Sequence, residues 1–531
     1  MTQDEDLKTT ITRARSQQLG DLLRRSARRV PDKTALVFGE FRDSFAGLDD
    51  LVNRTANALR HKGIAKGDRV ALLSHNNRSF VILRFALARI GAVMTPINFM
   101  LNASEVAYIL SDAGAVAMIA EDALVPLAEE AIGQSAVDLK ITASILHAGT
   151  DVPGDWENVE DWFDHPDARA HYVEIDDDDP VQLMYTSGTE SRPKGVLLTA
   201  RALYAQYVSC IVNGDMTAED VDLHSLPLYH CAQLDCFLSP DLYLGATSIL
   251  LPGPDPETIL TTIEREKVTK LFCPPTIWIA LLGHPKFDQV DLSSLCKGYY
   301  GASIMPTAII EELTERLPNM KLYNFYGQTE LAPVATVLGP EDQLRKLGSA
   351  GLPALNVETQ VVDDDDNPVP PGVVGEIVHR SPQATLGYYN NMEKTAEAFR
   401  GGWFHSGDLG RMDEEGYLYV VDRKKDMIKT GGENVASREV EEVIFTHPDV
   451  AEVAVFGVPH PIWIEAVTAA VVCRPGSVVE VEELQVFCRE RLAGYKSPKY
   501  IVPVEALPKN ASGKILKRDL RASFEKIADE D

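Results

Sequence analysis

The sequence predicts an α/β protein with a large N-terminal domain of βα-layered subdomains, a β-rich subdomain and a small α+β C-terminal domain. Three observations support this prediction. Apolar strand-like runs alternate with helix-period segments over most of the chain, short alternating strands begin near Gly348, and an α+β pattern follows the charged segment DRKKD. We expect domains at residues 1–421 and 428–531, with the β-rich part at about 345–421 and a joint at 422–427.

The layered part is visible near the start of the chain, where strand, helix and strand follow one another in GDRVALLSHNNRSFVILRFALARIGAVMTPIN. The order returns later. VQLMYTSG is a predicted strand before a loop and a helix after Thr199, KVTKLFCPP precedes PTIWIALLG, and KGYYGASIM precedes a helix that Pro306 is placed to open. Short crossovers of this kind predict a parallel sheet covered by helices.

The later part has a different pattern. Turn residues interrupt short strands in NVETQVVDDDDNPVPPGVVGEIVHR, and the acidic run at 363–366 is predicted to form a hairpin tip. Beyond DRKKD we expect a helix at SREVEEVIFTHP, strands at AEVAVFGVP and AVTAAVVCRPG, and a helix at VEELQVFCRERL. This order predicts a separate α+β domain.

Composition excludes some classes of function. The 531 residues carry a formal net charge of −28, so bulk attraction to nucleic acid is not expected. The seven cysteines include no short CxxC pair, which favours a reducing compartment. The N-terminus lacks the basic-then-apolar order of a signal peptide, and the apolar runs are too short for a bilayer. A cytoplasmic protein without an integral membrane segment is therefore expected.

The loop YTSGTESRPKGV contains residue types that can bind an anion. Gly188 and its small neighbours would let backbone N–H groups approach an anion, and Lys194 adds a positive charge. The Walker spacing GxxxxGK[ST] is absent. Taken alone, the loop fits either a phosphate site or a flexible polar turn.

Six further motifs occur along the chain in a fixed order. They are LPLYH at 226–230, YYGAS at 299–303, NFYGQTE at 324–330, WFHSGDLG at 403–410, DRKKDMIKTGGENV at 422–435 and NASGKILKRDL at 510–520. In this order and spacing the chain resembles the adenylate-forming superfamily of acyl-CoA synthetases, luciferases and adenylation domains, and most of all bacterial fatty acyl-CoA ligases. The resemblance extends from about Leu19 to Leu520.

The resemblance implies a two-step reaction. A carboxylate attacks the α-phosphate of ATP to give an acyl-adenylate and pyrophosphate, and the thiol of CoA then displaces AMP. Mg²⁺ is the implied metal, and the small C-terminal domain is implied to move between the two steps. The β- and γ-phosphates are expected to bind Thr186, Ser187, Gly188, Thr189 and Lys194.

The motif near NFYGQTE has the next set of implied roles. Tyr326 would pack on adenine, with Gly327 permitting close approach of the chain. Thr329 would donate a hydrogen bond to the α-phosphate, and Glu330 would hold Mg²⁺. Lys514 would bridge the attacking carboxylate and the α-phosphate, where negative charge accumulates in the transition state. The residues expected to act in catalysis are Lys514, Glu330, Thr329 and His230.

The C-terminal motifs imply ribose, hinge and thiol positions. The two carboxylate oxygens of Asp408 match the ribose diol, and Arg423 would donate to the same sugar. Lys425 matches the hinge position of the family, in a short charged segment that can absorb backbone rotation. The residues implied on the CoA side are Lys429, Gly431 and Gly432.

The acyl pocket is expected between the LPLYH and NFYGQTE segments. None of its candidates is a lysine or arginine that would pair with a second carboxylate, so an apolar monocarboxylic acid fits, with a medium- or long-chain fatty acid as the best choice. The acid that an α-amino acid substrate would need near the mouth of the pocket is missing, Asp235 being the nearest candidate, so a substrate without an α-amino group is expected. The candidates are Tyr229, His230, Cys231, Leu234, Gly301, Ala302, Phe325 and Pro333.

Some features depart from the family pattern, and alternatives stay open. Glu190 and Ser191 replace the threonine and glycine that usually stand in the phosphate loop. The alternatives are a CoA ligase for an aryl or short-chain acid, a free-standing carrier-loading adenylation enzyme, and a nucleotide-binding pseudo-enzyme. The implied partners are the acid, ATP and CoA, and a homodimer stays open.

Overall fold

The computed structural model describes residues 3–147, 149–150, 152–186, 193–303, 305–424, 426–431, 433–477, 479–509 and 515–530. The chain divides into two compact units. The first comprises Met1–Glu358 and Arg380–Gly402, and the second comprises Thr359–His379 and Trp403–Asp531. The predicted domain limits, with the joint at 422–427, stay a prediction.

Two large sheets lie in the first unit, and their inner strands are parallel, as the βαβ order predicts. One sheet contains, in spatial order, Leu352–Pro353, Val334–Leu338, Lys321–Gly327, Lys297–Gly301, Lys270–Phe272, Val221–His224, Thr247–Leu250, Thr34–Phe38 and Phe41–Ser44. The other contains Gly387–Tyr388, Lys194–Thr199, Pro180–Thr186, Val93–Ile97, Arg69–Leu73, Ala117–Glu121, Ile141–Ile145 and Glu157–Asn158.

Helices fill the connections between these strands, and polar caps set their ends. In helix Arg78–Ile90 the side chain of Asn77 accepts the N–H of Phe80, and Gly91 ends the helix with a left-handed φ of 72°. The other α-helices of this unit are Gln3–Arg15, Asp21–Arg29, Phe45–His61, Ala103–Ala113, Val125–Gln134, Ala200–Asn213, Cys231–Gln233, Ser239–Leu244, Pro256–Glu266, Pro275–Leu282, Thr307–Arg316 and Met392–Ala398.

The second unit has the predicted α+β character. A hairpin of two long strands packs against helices through apolar side chains such as Val440, Ile444 and Val455. The strands of this sheet are Glu433–Val435, Ile428–Thr430, Ile464–Cys473, Val450–His460 and Tyr500–Pro503. The α-helices are Ser437–Phe445, Val481–Arg491 and Lys517–Phe524.

The segment predicted to be β-rich contributes to three sheets. Four of its strands form an antiparallel sheet, whereas Leu352–Pro353 and Gly387–Tyr388 pair with the large sheets of the first unit. The acidic run forms a turn, in which the Asp363 carboxylate accepts the N–H groups of Asp365 and Asn367. The strands of the small sheet are Glu358–Val362, Gly375–Arg380, Phe404–Met412 and Leu418–Arg423.

All seven cysteines are free thiols. Among the residues that the structure describes, no helix is both long enough and apolar enough to cross a membrane.

Candidate active site

An antiparallel strand pair in the first unit flanks the predicted phosphate loop. Strand Pro180–Thr186 runs beside Lys194–Thr199, and Thr186 lies directly opposite Lys194. The Thr186 hydroxyl donates to the Lys194 carbonyl at 3.5 Å. Both ends of the predicted loop are thus fixed by the sheet. The predicted positions Ser187, Gly188 and Thr189, together with Glu190, lie outside the described residues.

The adenine and magnesium motif begins at the end of strand Lys321–Gly327 and continues into the short helical turn Thr329–Leu331. Tyr326 is half-buried and Thr329 is buried, whereas the Glu330 side chain is partly open to solvent. A Cβ atom on Gly327 would lie 1.8 Å from the Pro333 carbonyl oxygen. The backbone therefore requires glycine at this position, whatever binds there.

This close approach leads to a prediction for Gly327→Ala. We expect weaker ATP binding and a loss of stability of about 1–3 kcal/mol, because overpacking must displace the backbone next to Thr329. Calorimetric ATP titration and thermal unfolding measure the two effects. Gly133→Ala is the control, since a Cβ there meets nothing within 4 Å. Unchanged ATP affinity in Gly327→Ala would contradict the prediction.

The predicted acyl segment touches the predicted nucleotide segment at Cys231. Its sulfur lies 3.3 Å from the Thr329 hydroxyl oxygen, although the two residues are 98 positions apart in sequence. Burial raises the pKa of the Cys231 thiol to about 12, so the thiol is protonated at neutral pH and a poor nucleophile. The adjacent His230 caps the short helix Cys231–Gln233, its Nδ1 accepting the Ala232 N–H at 3.2 Å. This segment is therefore rigid at its contact with Thr329.

The other acyl candidates lie on neighbouring elements. Tyr229 is buried against Phe99, with ring centres 5.2 Å apart, and Leu234 is fully buried at the start of the π-helix Leu234–Leu238. Phe325 and Pro333 are buried, and Ala302 is exposed with a left-handed φ of 65°.

Gly301 pairs with Phe325 in the sheet, and a Cβ on it would lie 2.4 Å from the Phe325 carbonyl oxygen. Strand packing alone therefore requires this glycine, so its presence is no evidence of space for an acyl group. The pocket assignment as a whole stays a prediction.

The Asp235 side chain is already hydrogen-bonded to other side chains of the protein. The carboxylate is completely buried and accepts hydrogen bonds from Arg84 at 3.1 Å, Gln182 at 2.9 Å and Tyr207 at 3.2 Å. A carboxylate engaged by these donors is poorly suited to pair with a substrate amine. This arrangement agrees with the expectation that the substrate lacks an α-amino group.

The two predicted ribose residues lie together in the second unit. Asp408 and Arg423 are cross-strand partners, and Arg423 Nε lies 3.2 Å from Asp408 Oδ1. Asp408 is only 5% exposed. The Arg423 side chain therefore lies against the carboxyl group that is expected to accept the ribose hydroxyls.

The predicted CoA-side segment is a hairpin of strands Ile428–Thr430 and Glu433–Val435. Lys429 is exposed, and Gly431 adopts a left-handed φ of 60° at the turn. The Gly431 N–H donates to the Trp463 carbonyl at 2.9 Å, which ties the hairpin to the longer one beside it. The predicted hinge Lys425, the CoA-side Gly432 and the catalytic Lys514 lie outside the described residues.

The sequence interpretation missed one residue beside the phosphate site. The Tyr388 hydroxyl donates to Glu330 Oε1 at 2.9 Å, and Lys194 Nζ lies 5.4 Å from the centre of the Tyr388 ring. The motif GYYNN offered a weak signal, because an aromatic pair after glycine also occurs in ordinary strands. Only the pairing of Gly387–Tyr388 with Lys194–Thr199 reveals its place.

These features define a nucleotide-dependent enzyme that activates a carboxylic acid, and comparison with known proteins agrees. The model of the AMP-binding enzyme family matches residues 23–389, and the model of the AMP-binding enzyme C-terminal domain matches residues 439–514. The chain belongs to the AMP-binding enzyme family. Its class is that of the AMP-forming acid–thiol ligases, the acyl-CoA synthetases.

Named relatives differ in the acids they use. The chain is 38% identical to a feruloyl-CoA synthase of Amycolatopsis, covering 96% of this chain and 100% of the relative. It is 36% identical to the long-chain-fatty-acid–CoA ligase FadD13 of Mycobacterium tuberculosis, covering 95% and 98%. The crystal structure of the anthranilate CoA ligase AuaEII with anthranoyl-AMP superposes with a TM-score of 0.89 at 29% identity, covering 96% of this chain and 98% of that one.

Proposed function

We propose that the protein activates an apolar monocarboxylic acid as its acyl-adenylate, releasing pyrophosphate, and then transfers the acyl group to CoA, releasing AMP. The observation that carries the proposal is the 3.3 Å contact between Cys231 and Thr329. It brings the apolar acyl segment against the residue proposed to donate to the α-phosphate. An acid carboxylate bound at the acyl segment would thus lie near the phosphorus that it must attack.

The chain's own groups account for the first step. A carboxylate is a weak nucleophile toward a polyanion, so positive charge and hydrogen-bond donors must offset the repulsion. Thr186 and Lys194 are proposed to bind the outer phosphates with the loop residues between them, Thr329 to bind the α-phosphate, and Lys514 to bridge the reacting oxygens. AMP is a good leaving group, so the adenylate is open to attack by the CoA thiol.

The proposed metal is Mg²⁺, and Glu330 is the residue proposed to hold it. The Glu330 carboxylate is a hard oxygen donor of the kind that Mg²⁺ prefers. When bound, the ion would neutralise phosphate charge. Around the rest of the nucleotide, Tyr326 is proposed to pack on adenine, and Asp408 and Arg423 to bind the ribose. Lys425 stays the proposed hinge, and Lys429, Gly431 and Gly432 the proposed CoA side.

The packing behind the acyl segment supports the aryl alternative over a long fatty chain. Phe237 stacks on Phe272 and Phe325, with ring centres 4.5 and 5.7 Å apart, and meets the Tyr299 ring edge-on at 5.1 Å. These buried rings pack close to Gly301, and in the proposed acyl pocket they would leave little room for a long chain. A compact acid with an aromatic ring fits such surroundings, because ring–ring contacts add to apolar burial.

A substrate panel tests both the proposed reaction and the proposed class of acid. ATP–pyrophosphate exchange is measured with straight-chain acids of increasing length and with aryl acids of matched size, and CoA thioesters are identified by mass spectrometry. We expect exchange and thioester formation to be strongest with an aryl acid. Preference for long straight chains would overturn the aryl proposal, and no exchange with any acid would sink the enzyme proposal and favour a nucleotide-binding pseudo-enzyme.

The glutamate of the phosphate loop gives a separate kinetic prediction. Glu190→Thr removes a negative charge and adds a hydroxyl donor, so the KM for ATP should fall or stay the same. Steady-state kinetics with ATP varied at saturating acid measures this change. Glu40→Thr, at an exposed position away from the predicted site, is the control. A large rise in KM for Glu190→Thr would mean that the glutamate assists ATP binding.

A further inference from the structure

The short strand Gly387–Tyr388 attaches to two parts of the proposed phosphate site. It pairs with strand Lys194–Thr199, Tyr388 lying opposite Val196, and the Tyr389 N–H donates to the Gly195 carbonyl at 2.8 Å. Just before this strand, the Thr385 N–H donates to the Glu330 carbonyl at 2.7 Å. The backbone therefore fixes the tyrosine relative to both the phosphate-loop strand and Glu330.

The Tyr388 side chain continues this connection with two different contacts. Its hydroxyl donates to Glu330 Oε1 at 2.9 Å, which is a hydrogen bond to a charged acceptor and so stronger than a neutral one. Its ring lies 5.4 Å from Lys194 Nζ, within the range in which a ring attracts a cation. One side chain thus restrains both an anion and a cation of the proposed site.

We infer that Tyr388 is a positioning residue for MgATP: its hydroxyl orients the Glu330 carboxylate, and its ring places the Lys194 ammonium. The inference rests on the proposed function and names a residue that neither the sequence motifs nor the proposed roles include. Because the Tyr388 hydroxyl binds Glu330 Oε1, the other carboxylate oxygen, Oε2, is the one that would face a cation. Without the hydroxyl, the carboxylate can rotate, and ordering it on metal binding costs free energy.

Two substitutions separate the two contacts. Tyr388→Phe keeps the ring and removes only the hydroxyl, whereas Tyr388→Leu removes both. ATP binding is measured by calorimetric titration without acid or CoA, at a series of Mg²⁺ concentrations. The Mg²⁺ concentration that gives half of the full increase in ATP affinity should be on the order of tenfold higher in Tyr388→Phe than in the wild-type protein. ATP affinity without Mg²⁺ should stay unchanged in Tyr388→Phe and fall in Tyr388→Leu, because only the latter releases Lys194.

The controls isolate the contact with Glu330. Tyr389→Phe removes a hydroxyl from the next residue and should leave the Mg²⁺ dependence unchanged. In a Glu330→Gln background, Tyr388→Phe should have little further effect, because the two changes remove the same interaction. An unchanged Mg²⁺ dependence in Tyr388→Phe, or an equal shift in both backgrounds, would overturn the inference.

The binding assay also separates this inference from the proposed function. If the wild-type protein shows no pyrophosphate exchange with any acid, the proposed reaction fails, yet ATP binding still reports on Tyr388. If exchange occurs while Tyr388→Phe matches the wild-type protein in Mg²⁺ dependence, the reaction stands and the positioning role fails.

Discussion

Lys514→Ala is expected to slow acyl-adenylate formation by roughly 100- to 1,000-fold, the effect typical of removing a fixed donor from a site of developing charge. The proposed role requires this cation only while the carboxylate attacks the α-phosphate. Transfer of the acyl group from supplied acyl-adenylate to CoA should therefore proceed at close to the wild-type rate. Pyrophosphate exchange measures the first step, and thioester formation from synthetic adenylate measures the second.

The control for Lys514→Ala is a nearby lysine with a known partner. Lys509 Nζ lies 2.6 Å from Glu452, so its charge serves a local ion pair. Lys509→Ala should leave both half-reactions nearly unchanged. Equal loss of the two half-reactions in Lys514→Ala would contradict the assigned role and point to a general defect in binding or folding.

Asp235→Leu is expected to cost the first unit about 3–5 kcal/mol of stability, because it leaves the Arg84 guanidinium buried without its anion. Arg84 and Asp235 are both completely inaccessible to solvent, with Nη2 and Oδ1 3.1 Å apart. Thermal and urea unfolding measure the loss. Since Asp235 directly follows Leu234 in the π-helix, we also expect a change in acid selectivity at temperatures where the variant stays folded.

Two comparisons test the cause of this loss. Adding Arg84→Met to Asp235→Leu should recover much of the stability, because a well-packed apolar pair can replace a buried ion pair. Asp178→Ala breaks an exposed ion pair with Arg201; the Asp178 side chain is 51% exposed and the Arg201 side chain is 54% exposed. This control substitution should lower the stability by about 0–1 kcal/mol. A loss for Asp235→Leu no larger than this control would show that the buried pair contributes little.

Much of the fold follows from local patterns in the sequence. The strand predicted at VQLMYTSG is found at Pro180–Thr186, and the helix predicted after Thr199 is found at Ala200–Asn213, because both segments have clear apolar patterns. The pairing of short strands does not follow in the same way. LP at 352–353 and GY at 387–388 read as parts of one β-rich segment, yet they join different large sheets, because alternation predicts a strand but not its partner.

The same limit applies to the candidate site. Motif resemblance points to Thr329, Glu330 and Lys194, but nothing local in the sequence links Tyr388 to any of them. Glu330 and Tyr388 are 58 positions apart, and their hydrogen bond depends on how two strands and a helical turn assemble. Likewise, the sequence places Gly301 among the acyl-pocket candidates, whereas the structure shows that the backbone of the neighbouring strand already occupies the position of a side chain there.

The ion pair of Asp408 and Arg423 has a consequence for how tightly a nucleotide can be held. Adjacent strands carry both side chains and Arg423 contacts the carboxyl group, so this group is oriented before any ligand arrives. The entropy of ordering that acceptor is therefore lost during folding and not during binding. In the proposed ribose site, the hydrogen bonds between the sugar and this carboxyl group would therefore contribute more to the free energy of nucleotide binding than the same bonds to a mobile side chain.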